Sequence, residues 1–168
     1  FDSNLNLFSR KMFKITELTN SKYVYKVAND DFFNRNFLRK AKIFLDKNKS
    51  YSLMGGLVKN VRIVQPLKPV NDHGIAIFQK KNQYFNYLHI YQSVEYHSKE
   101  KRISQFPSSL PYECLFRRSA YLKIWKHANE FKTKHSFEIN WFYNIIPLLE
   151  GKKKFIKMIS TIRQSNTY

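Results

Sequence analysis

The stretch from Leu53 to Arg102 constrains the fold more than any other, because it reads as an outgoing strand, a long basic excursion and a returning strand. On the outgoing limb, Val58, Val61, Ile63 and Val64 stand among Lys59 and Arg62, a β-branched pattern that suits a half-buried strand. Pro66 and Pro69 lack the N–H that a ladder needs, so pairing should weaken there. The tip holds Asn71-Asp72-His73-Gly74 and Lys80-Lys81-Asn82. The return limb alternates, with Phe85, Tyr87, His89 and Tyr91 on one side and Leu88 and Ile90 on the other. A strand pair with a charged, irregular tip is a finger, and a basic finger suits insertion into something anionic.

Charge decides between partners. The 168 residues carry 30 Lys+Arg against 12 Asp+Glu, a formal net charge of +18. Self-repulsion of that size opposes compaction, so a polyanion is expected to neutralise it, and nucleic acid is the commonest one. Cations occur in every segment rather than along one amphipathic helix, which argues against a membrane-surface binder. Hydrophobic residues make up 43% of the chain, enough for a core and against wholesale disorder. The single cysteine, Cys114, excludes an intrachain disulfide and fits a reducing compartment. No run of apolar residues reaches the length of a membrane span. Residue 1 is Phe rather than Met, which suggests a removed leader or missing first residues. The favoured residues (Lys, Asn, Phe, Tyr, Ile) have A/T-rich codons, which points to an A/T-rich genome such as an organelle's.

Along the chain, residues 1–22 read as an extension, since interspersed Asn and Ser argue against a strong helix. Tyr23 to Val27 is a short strand. Asn29, Asp30 and Asp31 offer caps for a helix from Asp31 to Lys47. Phe33, Phe37, Ala41, Phe44 and Leu45 form its buried stripe, with Arg35, Arg39, Lys40, Lys42 and Lys47 off it. Asn48 to Gly56 reads as a connection, with Gly55-Gly56 providing turn freedom. The finger occupies residues 58–94. Ser104 to Pro111 is a loop insertion. Tyr112 to Lys126 fits strand or helix; Tyr121, Lys123 and Trp125 alternating with Leu122 and Ile124 favours a strand. Thr133 or Ser136 caps a second helix through about Ile146, buried through Phe137, Trp141 and Ile145, and Pro147 stops it. Lys152 to Ile159 reads as the last strand and residues 160–168 as a polar tail. The economical architecture is one α+β domain over residues 23–159: a ferredoxin-like βαββαβ antiparallel sheet with two helices on one face and a long basic β-finger.

These segments resemble the universal small-subunit ribosomal protein ten family in its mitochondrial form. Tyr23 to Val27 with Asp31 is similar to the family's first strand and helix entry. Gly55-Gly56, Val61-Arg62 and Pro66-Leu67-Lys68-Pro69 resemble its proline-marked outgoing limb, and Leu88 to Val94 its returning limb. Tyr112-Glu113, Arg117-Arg118 and Leu122-Lys123-Ile124 resemble its aromatic-Glu element and arginine strand. Pro147 to Gly151 and Phe155-Ile156-Lys157 resemble its closing turn and strand. The chain departs from the pattern in an enlarged finger tip, the insertion at Ser104 to Leu110, and a missing glycine between Val61 and Pro66. The resemblance implies a structural subunit of the small-subunit head, in the mitochondrial matrix, contacting ribosomal RNA and neighbouring small-subunit proteins.

The expected RNA contacts are Lys59, Arg62, Lys68, Lys80, Lys81, Lys99, Lys101, Arg102, Arg117 and Arg118 for phosphates, with His73, Tyr84 and Tyr91 as stacking rings. No catalytic residues, cofactor, metal, small-molecule substrate or membrane partner is expected. A phosphate loop, a dinucleotide glycine motif and a nucleophile elbow are all missing from the sequence. Two other readings stay open. An accessory subunit of a mitochondrial membrane complex would bind RNA weakly. A small metal-dependent nuclease would use His89, His97, Glu95 and Asp72-His73, whose spacing does not bring them together.

Overall fold

A computed structural model describes residues 3–29, 31–63, 84–89, 92–106, 113–132 and 135–166. It is a mixed α+β fold built, among the described residues, on a six-stranded sheet of β1 (Tyr23–Tyr25), β2 (Phe32–Phe33), β3 (Tyr51–Ile63), β4 (Tyr84–His89), β5 (Cys114–Arg117) and β6 (Lys152–Asn166), in the order β1-β5-β3-β6-β2 with β4 paired to β3. Five helices accompany the sheet among the described residues. None of them is long and apolar enough to cross a membrane.

The centre of the sheet is β3 (Tyr51–Ile63), and it explains most of the architecture. One of its edges is shared by two strands. β5 (Cys114–Arg117) pairs antiparallel along Leu53 to Gly55, and β4 (Tyr84–His89) pairs antiparallel from Val58 to Arg62. The other edge is taken throughout by β6 (Lys152–Asn166), which runs parallel to it. The expected sheet was antiparallel; the observed one is mixed. A long strand can accept a parallel partner only through a distant crossover, and here the chain between Ile63 and Lys152 supplies it. Residues 160–166, expected as a polar tail, continue β6 against Val58 to Ile63.

Strand alternation divides the side chains between two cores. Leu53, Cys114, Phe116 and Phe155 face one side, under α4 (Arg118–Glu130), α5 (Ser136–Glu150) and α1 (Ser3–Leu18). Met54, Leu115, Ile156 and the rings of Tyr23 and Tyr25 face the other, under α2 (Arg35–Lys47). Helices therefore cover both faces, not one as expected. The expected connection at Gly55-Gly56 is the middle of β3. A Cβ at Gly55 would collide with the Phe155 ring and come within 2.6 Å of Cys114 Sγ; one at Gly56 would strike the Met158 carbonyl oxygen. The glycines permit close approach on both faces, beside a register shift between β3 and β6.

Three helical expectations need correction. α1 forms where none was expected, because Ser9, Met12, Phe13 and Thr16 recur at helical spacing and seat it on α4. Thr16 returns its hydroxyl to the Met12 carbonyl, so a small polar residue sits buried at no cost in unpaired groups. α4 occupies the segment whose alternation favoured a strand. Its buried residues, Tyr121, Ile124, Trp125 and Ala128, follow the helical period instead. In α5 the buried side is Ile139, Tyr143 and Ile146, while Trp141 is 55% exposed. Pro147 lies inside its last turn, and Gly151 N–H closes the helix on the Pro147 carbonyl.

α2 came closest to expectation. Phe37, Ala41 and Leu45 are fully buried. Its start is set by Asn34, whose side chain accepts from the Asn36 and Phe37 N–H groups, rather than by residues 29–31. Before it lie β1 (Tyr23–Tyr25), paired with β5, and the two-residue β2 (Phe32–Phe33), paired with β6. A short helix, α3 (Lys99–Ile103), follows the bridge between Val94 and Lys153.

Candidate nucleic-acid interface

The base of the finger is formed as expected. Val58 pairs with His89, Lys59 with Leu88, Val61 with Phe85 and Arg62 with Tyr84. Lys59 is half-buried, between β4 and β6, with Ile162 as its β6 partner. Arg62 and Tyr84 are thus brought opposite one another across the ladder. Lys68, His73, Lys80, Lys81 and Tyr91 lie outside the described residues. Lys99 and Lys101 are exposed on α3.

The three arginines of the expected set do something different from the lysines. Arg102 is 7% exposed; its Nε donates to the Leu148 carbonyl at 2.7 Å, and one Nη to the carbonyls of His97 and Tyr96. Arg117 donates to the carbonyls of Tyr51, Leu45 and Asn48. Arg118 donates to the carbonyls of Thr16 and Glu17. Each guanidinium satisfies carbonyls at the end of a helix: α5, α2 and α1 respectively. There the orphan acceptors and the negative pole of the helix both favour a cation. Arg117 and Arg118, neighbours in sequence, thus tie α2 and α1 to the β5–α4 corner. No local motif announces such a role, since the helix-end carbonyls lie 46 to 102 residues away.

Most acids among the described residues are engaged in ion pairs inside the molecule. Lys14 holds Glu17, Lys22 and Lys42 hold Asp46, Lys154 holds Glu95, Lys126 and His127 hold Glu130, and Lys123 holds Glu150. Glu113, nearly buried, is bound by Arg163. Asp46 takes two lysines and the Tyr23 hydroxyl, and hydrogen bonds from Lys22 above all hold its carboxyl well below the usual carboxylate range. The remaining cations are the ones a polyanion would meet. On α2 the exposed face carries Arg35, Arg39, Lys40 and Lys47, none in an ion pair with a described residue. These residues lie off the buried stripe of the sequence pattern and outside the expected RNA contacts.

Of the residues a metal nuclease would use, Glu95 and His97 have other partners, and Asp72 and His73 lie outside the described residues. Glu95 is bonded to Lys154, while His97 Nε2 lies 3.1 Å from Lys152 Nζ. Among the described residues no group of three His, Cys, Asp or Glu side chains could hold a metal ion. Cys114 is fully buried, and burial pushes its thiol well above the ordinary range. An open groove of about 570 Å³ between α4 and α5 is lined by His127, Phe131, Trp141, Phe142, Ile145 and Leu149. Its apolar walls and the Glu138 carboxylate make it unsuited to phosphate.

No family model matches the chain, and no curated protein is significantly similar to it.

Proposed function

We propose that the protein is a non-enzymatic structural component of a mitochondrial small ribosomal subunit, binding ribosomal RNA and neighbouring proteins of the subunit head. The observation that carries this reading is the charge balance: +18 overall, with the described acids largely engaged in internal pairs. Exposed cations are thereby left without intramolecular counter-charge, and phosphate is the anion that supplies it at sufficient density. The antiparallel β3–β4 ladder supports the finger. The resemblance to the universal small-subunit ribosomal protein ten family supplies the ribosomal setting, although the strand order here is not that of a plain βαββαβ sheet.

Sedimentation of the native protein from a gently lysed organelle fraction, with and without ribonuclease, tests this. Migration with small ribosomal subunits, lost after ribonuclease or high salt, is the expected result. Migration with a membrane complex irrespective of ribonuclease would replace this reading with that of an accessory membrane-complex subunit.

A further inference from the structure

We propose that the outer face of α2 and the exposed rings of β2 form a second RNA-binding surface, which holds an unpaired RNA segment through phosphate contacts and base stacking. This rests on the RNA-binding reading above and extends it to residues outside the finger.

Phe32 and Phe33 are 64% and 48% exposed. Adjacent residues of a strand point to opposite sides, so a core on either side should bury one of them. Neither is buried. β2 ends the described strand order, with its only described partner, β6, on one side. Two unburied phenylalanines forgo a substantial hydrophobic gain unless something else covers them.

The neighbouring helix indicates what that is. Asn34, between β2 and α2, anchors that junction to β6, its N–H donating to the Ser160 carbonyl at 2.8 Å and its Nδ2 to the Ile159 carbonyl at 2.9 Å. From there Arg35, Arg39, Ile43 and Lys47 follow one another at four-residue steps, so they form one exposed ridge of the helix. Successive members stand about 6 Å apart and the ridge runs about 18 Å. Lys40 flanks it. The helix has one acid, Asp46, already bound by Lys22, Lys42 and Tyr23. The surface is therefore three cations, Arg35, Arg39 and Lys47, around Ile43, on a ridge that begins two residues after Phe33, with the two open rings on either side of the strand that leads into it.

That pairing favours single-stranded RNA over its competitors. A duplex offers phosphates but keeps its bases stacked out of reach of the rings. An unpaired strand presents both, and aromatic rings beside a basic track are how such strands are held without sequence preference. An acidic protein would satisfy the ridge with scattered carboxylates, whereas an unpaired strand repeats an anion and a flat ring at every nucleotide.

The test uses the full chain and a fluorescently labelled, unstructured oligouridine, with anisotropy measured over a salt series. Arg35→Gln/Arg39→Gln should flatten the dependence of log affinity on log salt by about 1.4, at about 0.7 per lost phosphate contact on a single strand. Phe32→Ala/Phe33→Ala should weaken binding about tenfold or more and leave the salt slope unchanged. Thermal unfolding of both variants is measured alongside, and should match the parent because all four side chains are exposed. A finger variant, Lys59→Gln/Arg62→Gln, separates the two readings. If it loses affinity while both α2–β2 variants bind normally, the second surface is overturned and the RNA reading stands. If the parent binds neither oligouridine nor ribosomal RNA, both fall together. If Phe32→Ala/Phe33→Ala keeps its RNA affinity but no longer joins the small subunit, the face belongs to a protein neighbour and the proposal is overturned.

Discussion

Replacing Lys153 with methionine should stabilise this protein, although it removes a charge from a chain that is otherwise defined by charge. Lys153 is fully buried on β6, and its Nζ has no hydrogen-bond partner among the described residues. In register it stands beside Leu53, on the face of the sheet that packs under α4 and α5. Desolvation lowers its pKa from 10.5 to about 8, opposed only weakly by the Cys114 thiol. That displacement corresponds to about 3 kcal/mol of destabilisation whenever the amine is protonated in both folded and unfolded states. Methionine has nearly the volume of the lysine stem, so the cavity term is small. The sign follows from proton counting: between pH 8 and 10.5 the unfolded chain binds the extra proton, so stability of the parent rises with pH across that window. Below about pH 8 the full penalty is present. Lys153→Met should therefore exceed the parent by about 3 kcal/mol at pH 7, and the gap should close toward pH 10.5. Burial also raises the pKa of Cys114 and moves Tyr25 up to about 12, so both remove stability at high pH. They do so in both proteins and cancel in the difference. Urea unfolding from pH 6 to 10.5 measures it. A variant less stable than the parent at pH 7 would show that Lys153 has an anionic partner, and the reasoning would be wrong.

Three further outcomes follow from the same structure. Arg102→Met should cost about 2–4 kcal/mol, since it leaves the carbonyls of Leu148 and His97 without their donor; urea denaturation reads it directly, and RNA affinity corrected for the folded fraction should not change. Gly56→Ala should cost about 2 kcal/mol or more, because the new methyl group meets the backbone oxygen of Met158, which cannot rotate away; a drop in thermal midpoint of roughly 4 °C or more is expected. Cys114 should resist iodoacetamide in the folded protein and react at the free-thiol rate in urea, as its burial implies; fast labelling of the native form would contradict the packing of β5 under α4.

Much of this protein was legible in local pattern. The β-branched run from Val58 to Val64 and the alternating aromatic limb did become an antiparallel pair over their described residues, and Phe37, Ala41 and Leu45 did bury one side of a helix. Periods of two and three-to-four residues are properties of the chain itself, so they survive whatever the fold does. Composition likewise settled the excess of cations. Local pattern failed where one segment satisfied both periods. Tyr121 to Trp125 alternates, yet Ala120 and Ala128 complete a helical stripe, and the helix won because it could cover Leu53 and Phe116. Glycine misled for a related reason: Gly55-Gly56 signals a turn locally, and only the crowding of Phe155, Cys114 and Met158 shows that it is a strand centre.

What the tertiary structure alone decided is how the cations are used. In sequence, Arg102, Arg117 and Arg118 look like the neighbouring lysines, and all were assigned to phosphate. In space the guanidinium groups reach carbonyls at helix ends distant in the chain, because a planar fork can satisfy several acceptors at once where an ammonium on a flexible stem gains less. The acids are similarly consumed in pairs that span the fold, such as Lys123 with Glu150 and Arg163 with Glu113. Net charge is additive and can be read from composition. Which charges remain for a partner depends on long-range pairing, and that exists only once the chain has folded.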